Sequence, residues 1–572
     1  MQLHHLASTV LNFLHKLEEL RPRLFWPVWS VLTTGSALVA MWLFRPTALG
    51  VIPKHDRAPQ VRFDRSRAAV LSLALLAVFL GCYIAWTMVW EDFAWYDHSQ
   101  FTLFSLRGID FPSPIWPESG RFFPLSNQEF NLLAHFNKTN MGYHVFGLVQ
   151  VLLIAGALLF LDDRMSIAGR VAVIIFLLMT PTVAITLTDL VYPERNVVFF
   201  LVCLAFAVKK FEETHSRRWA VAAVVSAQIA LYFKEPVSLM LLGFVAARFV
   251  FRHLFSDLSS SPSSWLRDAA SKLDACLAAQ ALAFLAFYVF MMFPYTSADY
   301  LVTTRRPSIL VAAIYYFKRD ILVWVFSAVT AARMFLILRR RVTPSLLWDG
   351  LACGGLVYFV AYLTLRMATY YYLAPVDLIA VVYLAHVFYS SWPKMGPGIR
   401  FAAFVVAMII AGQNLQQTGF QLMFRKYVLY KKEALARMIV DRYRRDPGSV
   451  RSLFFPFAPA YTLAEFGAYL SYRGLPLEVD GSGVSSASPT VEIFSPKIPK
   501  TGRCIYFMAF VCHAGQPGAS SLTIALPDDP MLPSESKLLE ESEANLRAFD
   551  PRPQPPRLFM RALEILRYWE WY

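Results

Sequence analysis

The chain has 572 residues, 56% of them hydrophobic and only 16% charged, with 47 phenylalanines and a mean hydropathy of +0.44. That balance excludes a soluble globule, and apolar runs of about twenty residues between short charged loops identify a polytopic α-helical membrane protein. A net charge of +14 raises nucleic acid as a partner. No basic stripe interleaved with aromatics, no zinc-finger spacing and no glycine-rich fingerprint accompanies that charge, so nucleic acid is set aside.

Residues 1–23 read as an amphipathic N-terminal segment carrying Lys16, Arg21 and Arg23. No cleavable signal peptide is evident, and the first hydrophobic run, from near Leu24, is expected to be retained. A transmembrane domain over 24–419 follows, with spans expected near 24–44, 68–90, 141–161, 169–188, 196–208, 219–233, 236–251, 273–293, 320–338, 347–365, 370–390 and 401–418, about twelve in all. Lys234-Glu235-Pro236 splits one pair of runs, which fits a helix restart or a discontinuous segment.

Lysine and arginine set the orientation. Loops 45–67, 162–170, 209–218, 252–272, 339–346 and 391–400 hold about twenty, and the intervening loops about half as many. The richer set is expected in the cytoplasm. The long loop 91–140 and everything after 418 then lie outside the plasma (inner) membrane. The N-terminus fits this less well, because a spanning first helix leaves Lys16, Arg21 and Arg23 outside.

Past Gly419 the composition changes. Residues 421–447 read as a basic amphipathic helix resting on lipid headgroups, with Arg425, Lys426, Lys431, Lys432 and Arg437. Short strands are expected at 490–494, 503–512 and 521–526, and helices at 535–548 and 557–569. The fold class is therefore mainly α: a transmembrane helix bundle with a small extracytoplasmic α/β domain over 420–572. Cys82, Cys203, Cys276 and Cys353 read as small core residues of apolar helices. Cys504 and Cys512 form either a disulfide or two buried thiols on one strand. Asn137-Lys138-Thr139 is an acceptor triplet for N-glycosylation in a secretory context only.

The chemistry concentrates on the outer side. Residues 68–90 run out into Glu91-Asp92, and acids held at a membrane surface are functional candidates by default; the plain alternative is the wet end of a helix. Four outer loops each supply a cation: Arg195, Lys234, Arg305 with Arg306, and Arg366. Singly each reads as an interfacial anchor. Together they suit a phosphate or pyrophosphate, whose oxygens a guanidinium fork holds in pairs. Glu194 and Glu235 stand beside two of these cations. The first outer loop adds Tyr96, Asp97, His98, Gln128 and Glu129, aromatic faces and polar groups suited to a sugar, and His144 lies just inside the next span. A core histidine is the simpler account of His144. Asp92, Asp97 and His98 also make a weak candidate set for a divalent metal.

An acidic pair directly after an early transmembrane helix, opening a long outer loop, resembles the first-loop signature of the GT-C superfamily. These polytopic glycosyltransferases take sugars from polyprenyl-phosphate or polyprenyl-diphosphate carriers. Asp92 followed by Tyr96 resembles the Asp-x-x-x-Tyr start of that loop in lipid A aminoarabinose transferases and their relatives. The likeness covers about 68–420 in layout, and 91–96 residue by residue. It implies a lipid-linked sugar donor, a glycan, lipid or protein acceptor, inversion at the anomeric carbon, and a first-loop carboxylate as general base. Glu91 precedes Asp92 where many relatives begin with Asp, so which acid is the base stays open.

Three other classes compete. A transporter or flippase of lipid-linked saccharides predicts internal symmetry and charges at mid-membrane, and neither is evident. A polymerase or ligase of such saccharides relies on outer arginines more than on a first-loop acid pair. A scaffold displaying 420–572 leaves the outer charges without purpose.

Overall fold

The computed structural model describes residues 23–38, 66–88, 101–137 (apart from 102 and 117–119), 139–255, 269–292, 308–367 and 370–445, with short pieces of 453–558. Glu91, Asp92, Tyr96, Asp97, His98, Arg305 and Arg306 lie outside the described residues, as do the helices expected over 535–548 and most of 557–569.

The architecture is a mainly α, polytopic bundle. In chain order the helices are α1 (23–38), α2 (Arg67–Met88), α3 (Gln128–Ala134), α4 (Asn140–Leu159), α5 (Ile167–Leu178), α6 (Pro181–Thr188), α7 (Glu194–Thr214) and α8 (Arg217–Phe233). They continue as α9 (Val237–Phe255), α10 (Ala269–Phe287), α11 (Ile309–Arg319), α12 (Ile321–Leu338), α13 (Leu346–Thr364), α14 (Ala374–Ser391) and α15 (Pro397–Arg445). Among the described residues 8 helices are long and apolar enough to cross a membrane, or 9 if α5 and α6, bent by 72°, count as one span. The chain is thus membrane-embedded.

The expected runs at 196–208 and 219–233 are helices, α7 and α8, that fall short of that test. α8 has 17 residues, and α7 carries Glu194 and Arg195 at one end and Lys209, Lys210, Glu212 and Glu213 at the other. The break at 234–236 is real. α8 stops at Phe233, since the residue before a proline is pushed out of helical geometry, and α9 begins just after Pro236.

The chain forms two compact units. The first holds the described residues of 1–80, 113–126 and 149–412. Its centre is α13 and α14, whose apolar windows are 61% and 67% buried. α2 and the start of α15 bury only 17% and 11% of theirs and keep their side chains for lipid. α9 and α13 approach closely because glycines line the seam. A Cβ on Gly354 meets the Met240 carbonyl oxygen at 2.6 Å, and one on Gly243 meets Val357 at 2.9 Å.

Ion pairs pin one end of this unit. Arg248, fully buried on α9, reaches Asp274 at 2.8 Å and Glu212 at 2.7 Å, and Arg252 reaches Asp274 at 2.7 Å. Arg333 bonds Asp349 through two nitrogens, at 2.6 and 3.0 Å, with the Tyr383 hydroxyl donating to the same carboxylate at 3.0 Å. His386 Nδ1 lies 2.6 Å from Asp162. Burial raises the Asp162 carboxyl, but the hydrogen bond and charge of His386 more than offset this and hold it below its ordinary value.

The second unit holds the described residues of 81–112, 127–148 and 413–572. Phe101, Phe111, Phe130 and Tyr143 form a buried aromatic cluster with ring centroids 4.7–5.9 Å apart. Asn131 holds the backbone of Phe111 at both its N–H (2.7 Å) and its carbonyl (3.1 Å). α15 runs unbroken through Gly419, where a break was expected. One interior glycine costs about 1 kcal/mol, which good helix formers on both sides outweigh. Arg425 and Lys426 are buried, not spread on headgroups; Lys426 Nζ donates to the Thr87 carbonyl at 2.9 Å, near the end of α2, where a cation is favoured.

Six short strands, β3 (Leu453–Phe454), β4 (Val479–Asp480), β5 (Val491–Glu492), β6 (Cys504–Tyr506), β7 (Phe510–Cys512) and β8 (Leu522–Ala525), make a mixed sheet in the order β4-β3-β5-β8-β7-β6. Cys504 and Cys512 are register partners on the antiparallel strands β6 and β7, not residues of one strand.

Candidate functional site

Helices of the first unit alternate in direction, so the starts of α7, α9, α12 and α14 and the ends of α6, α8 and α13 share one end of the bundle. Its charged residues draw together there. α8 ends before Lys234 and α7 begins at Glu194, and the Lys234 ammonium lies 2.8 Å from Glu194 Oε1 with both side chains buried. A lysine is held in so dry a place by opposite charge and by aromatic faces. Lys234 Nζ sits 4.4 Å from the Tyr372 ring centroid and 5.5 Å from that of Phe123. Burial works against its charge, yet Glu194, Tyr372 and Glu235 together hold its pKa above the ordinary value, with Arg121 acting in the opposite sense.

The segment 113–126 is stitched to the same place. Strands Ile115–Trp116 (β1) and Arg121–Phe122 (β2) form a small hairpin. Phe122 N–H donates to Glu235 Oε1 at 2.9 Å, Leu125 N–H to the Tyr232 carbonyl at 3.2 Å, and the Tyr288 hydroxyl to the Gly120 carbonyl at 2.9 Å. Glu194 Oε2 and Glu235 Oε2 remain buried with no hydrogen-bond donor among the described residues. A buried carboxylate oxygen without a donor is costly, and these oxygens keep acceptor capacity for a hydroxyl or N–H donor. Around it the rings of Tyr192 and Tyr371 stack at 3.8 Å and 10°, and Tyr362 stacks on Tyr372 at 5.1 Å.

The candidate residues divide clearly. Lys234, Glu194 and Glu235 come together. Arg195, adjacent to Glu194 on α7, is fully buried. Arg366, at the end of α13, is half-buried in a left-handed conformation (φ 54°) that non-glycine residues rarely adopt, and among the described residues no ion pair or side-chain hydrogen bond engages it. Gln128, Glu129 and His144 belong to the second unit. There Gln128 donates to the Phe111 carbonyl at 3.3 Å and accepts from Asn131 at 3.0 Å, and His144 is buried in α4. Among the described residues no three His, Cys, Asp or Glu side chains stand together as a metal cluster. The candidate metal set Asp92, Asp97 and His98 lies outside them.

The structure adds residues that sequence patterns did not single out. The tyrosines at 192, 371 and 372 look like interfacial aromatics in the chain, although the run Tyr370-Tyr371-Tyr372 after an arginine was a visible signal. Thr182 on α6 donates to Asp377 on α14, both fully buried, and only the packing of the two helices brings them together.

No protein-family model matches the chain, and no curated protein matches it. Among solved structures, the crystal structure of the Archaeoglobus fulgidus oligosaccharyltransferase in complex with zinc and sulfate is similar at a TM-score of 0.37 and 12% identity. That match covers 72% of this chain and 62% of that one, so the chain spans less than two thirds of the archaeal protein.

Proposed function

We propose that the protein is an integral-membrane glycosyltransferase of the GT-C type. It moves a sugar from a polyprenyl-phosphate-linked donor to an acceptor hydroxyl on the extracytoplasmic face. The observation that carries this is the buried Lys234–Glu194–Glu235 cluster, ringed by tyrosines and stitched to residues 113–126 of the loop that opens with Glu91-Asp92. A cation, carboxylate oxygens awaiting donors and aromatic faces are the groups that a phosphate, sugar hydroxyls and a sugar's CH face require.

In the proposed reaction Asp92, or Glu91 in its place, accepts the proton of the acceptor hydroxyl as its oxygen bonds the anomeric carbon. The bond from that carbon to the phosphate oxygen breaks, and the electron pair leaves with the lipid phosphate. Lys234, Arg195, Arg305, Arg306 and Arg366 are assigned to its growing charge. The phosphate competes with Glu194 for Lys234, and Glu194 and Glu235 accept from sugar hydroxyls; Tyr96, Asp97, His98, Gln128, Glu129 and His144 complete the proposed substrate set. A divalent cation, if used, falls to Asp92, Asp97 and His98.

The test is Asp92→Asn, which keeps the size of the side chain and removes the proton acceptor. Turnover should drop by about 10²–10⁴ while donor binding survives, with Glu91→Gln doing less. An active Asp92→Asn beside a dead Glu91→Gln swaps the two roles. Normal turnover in both sinks the assignment.

A further inference from the structure

Gln280 stands near the middle of the membrane span Ala270–Met292 and is only 4% exposed. Bulk water does not reach an amide there, so each of its polar atoms needs a partner from the protein or from a bound molecule. Its Nε2 donates to the Val224 carbonyl on α8 at 3.2 Å. A carbonyl can only accept, so this bond fixes which end of the amide is nitrogen and leaves Oε1 over. Gln280 Oε1 is buried and receives no donor among the described residues, and the same is true of Gln228 Oε1 on α8. Gln228 follows Val224 by four residues, so its backbone N–H and the Gln280 amide address the same carbonyl.

Both glutamines line one small cavity between α1, α8 and α10. Thr33 and Ser36 of α1 and Tyr232 of α8 add hydroxyls to its wall. Those hydroxyls are engaged with one another and with the backbone. Tyr232 and Thr33 share a hydrogen bond at 3.0 Å, and the Ser36 hydroxyl donates to the Thr33 carbonyl at 2.8 Å. The cavity measures about 10 Å³, close to the space that one water molecule needs and far below that of a sugar or a lipid chain.

Two buried acceptors beside a space of that size call for a single atom that carries two protons. We propose that the cavity is a binding site for one structural water, which donates one proton to Gln228 Oε1 and the other to Gln280 Oε1. Both oxygens are then satisfied, and the water joins α8 to α10 deep in the bundle, where an unmatched amide oxygen is most costly. It also completes the polar seam against which α1 packs.

The same walls support the hairpin at the outer end. The Tyr232 carbonyl accepts from Leu125 N–H at 3.2 Å, and the Phe122 ring lies 6.4, 5.8 and 4.8 Å from those of Tyr232, Phe284 and Phe287. Phe25 of α1 packs on Phe122 and Phe287 at 5.9 and 5.0 Å. The water site stands on these contacts and does not depend on the proposed function.

A density map of the full-length protein in phosphatidylcholine nanodiscs, fine enough to show ordered water, tests it. One compact peak should lie about 2.7–3.0 Å from both amide oxygens. Gln280→Met keeps the length of the side chain and removes the acceptor, so it should abolish the peak. Gln228→Met and Gln280→Met should each lower the midpoint of thermal unfolding, because losing the shared water leaves the other oxygen without a donor. The double variant has no such oxygen left and should lose less than the sum of the two. A wild-type map without the peak, a peak continuous with a lipid chain, or losses that add in full overturns the water site. The wild-type map requires no substitution, so it decides the matter even where a variant fails to fold.

Discussion

Replacing Lys234 is the most informative perturbation of the site, and its burial determines how it must be done. At 2.8 Å the attraction to Glu194 is about 6 kcal/mol for an effective dielectric of about 20, before desolvation is subtracted. Lys234→Met removes the cation and strands Glu194. The loss has a ceiling, because a stranded glutamate can take up a proton, which at pH 7 costs about 3.7 kcal/mol from an ordinary pKa near 4.3. We therefore expect Lys234→Met to lower unfolding free energy by about 3–4 kcal/mol at pH 7, in the range typical of broken buried pairs. The deficit should shrink by about 1.4 kcal/mol for each pH unit below that. The double variant Lys234→Met with Glu194→Gln leaves no stranded charge and should recover to within about 1 kcal/mol of wild type. Reversible unfolding in mixed micelles reads the stability, and binding of a polyprenyl phosphate reads the function. Folded but without the cation, the double variant should bind the phosphate about ten- to hundredfold more weakly, the equivalent of one lost charge-assisted contact. A pH-independent deficit in the single variant refutes the buried pair. Wild-type affinity in the double variant refutes Lys234 as a phosphate ligand.

Further measurements test other parts of the structure. Arg366→Gly relieves a left-handed residue and should raise stability by up to about 1 kcal/mol while weakening phosphate binding; unchanged binding would reduce Arg366 to an interfacial anchor. Gly354→Ala and Gly156→Ala both gain about 1 kcal/mol of helix propensity, but only the first drives a Cβ toward a backbone oxygen. Gly156→Ala should therefore stabilise and Gly354→Ala destabilise by about 1–2 kcal/mol in thermal unfolding, and equal effects would contradict the close α9–α13 seam. Asp162 has a lowered folded-state pKa, so its contribution is present above about pH 4, its unfolded value, and is lost as pH falls below that. Asp162→Asn should flatten the acid limb of the stability curve there, and an unchanged limb would show that the His386 contact contributes nothing.

Some of this was open to a reader of the chain alone. Hydropathy marks the membrane class and the helical regions, because the bilayer core demands about twenty apolar residues per crossing and full backbone satisfaction, both local properties. Pro236 marks the α8–α9 break for the same reason: its ring acts on its immediate neighbours. The adjacency of Lys234 to Glu235 was likewise legible. Its pairing with Glu194, forty residues away, was not, since nothing local selects one acid among those at the same helix ends. Hydropathy also counted α7 and α8 as ordinary spans and broke the helix at Gly419, because it registers neither terminal charges nor the tolerance of a long helix for one glycine. The Thr182–Asp377 contact marks the limit most sharply. Each residue alone reads as a polar group at a helix start. Only the packing of α6 against α14 brings the Thr182 hydroxyl to the Asp377 carboxylate and shuts water away from both.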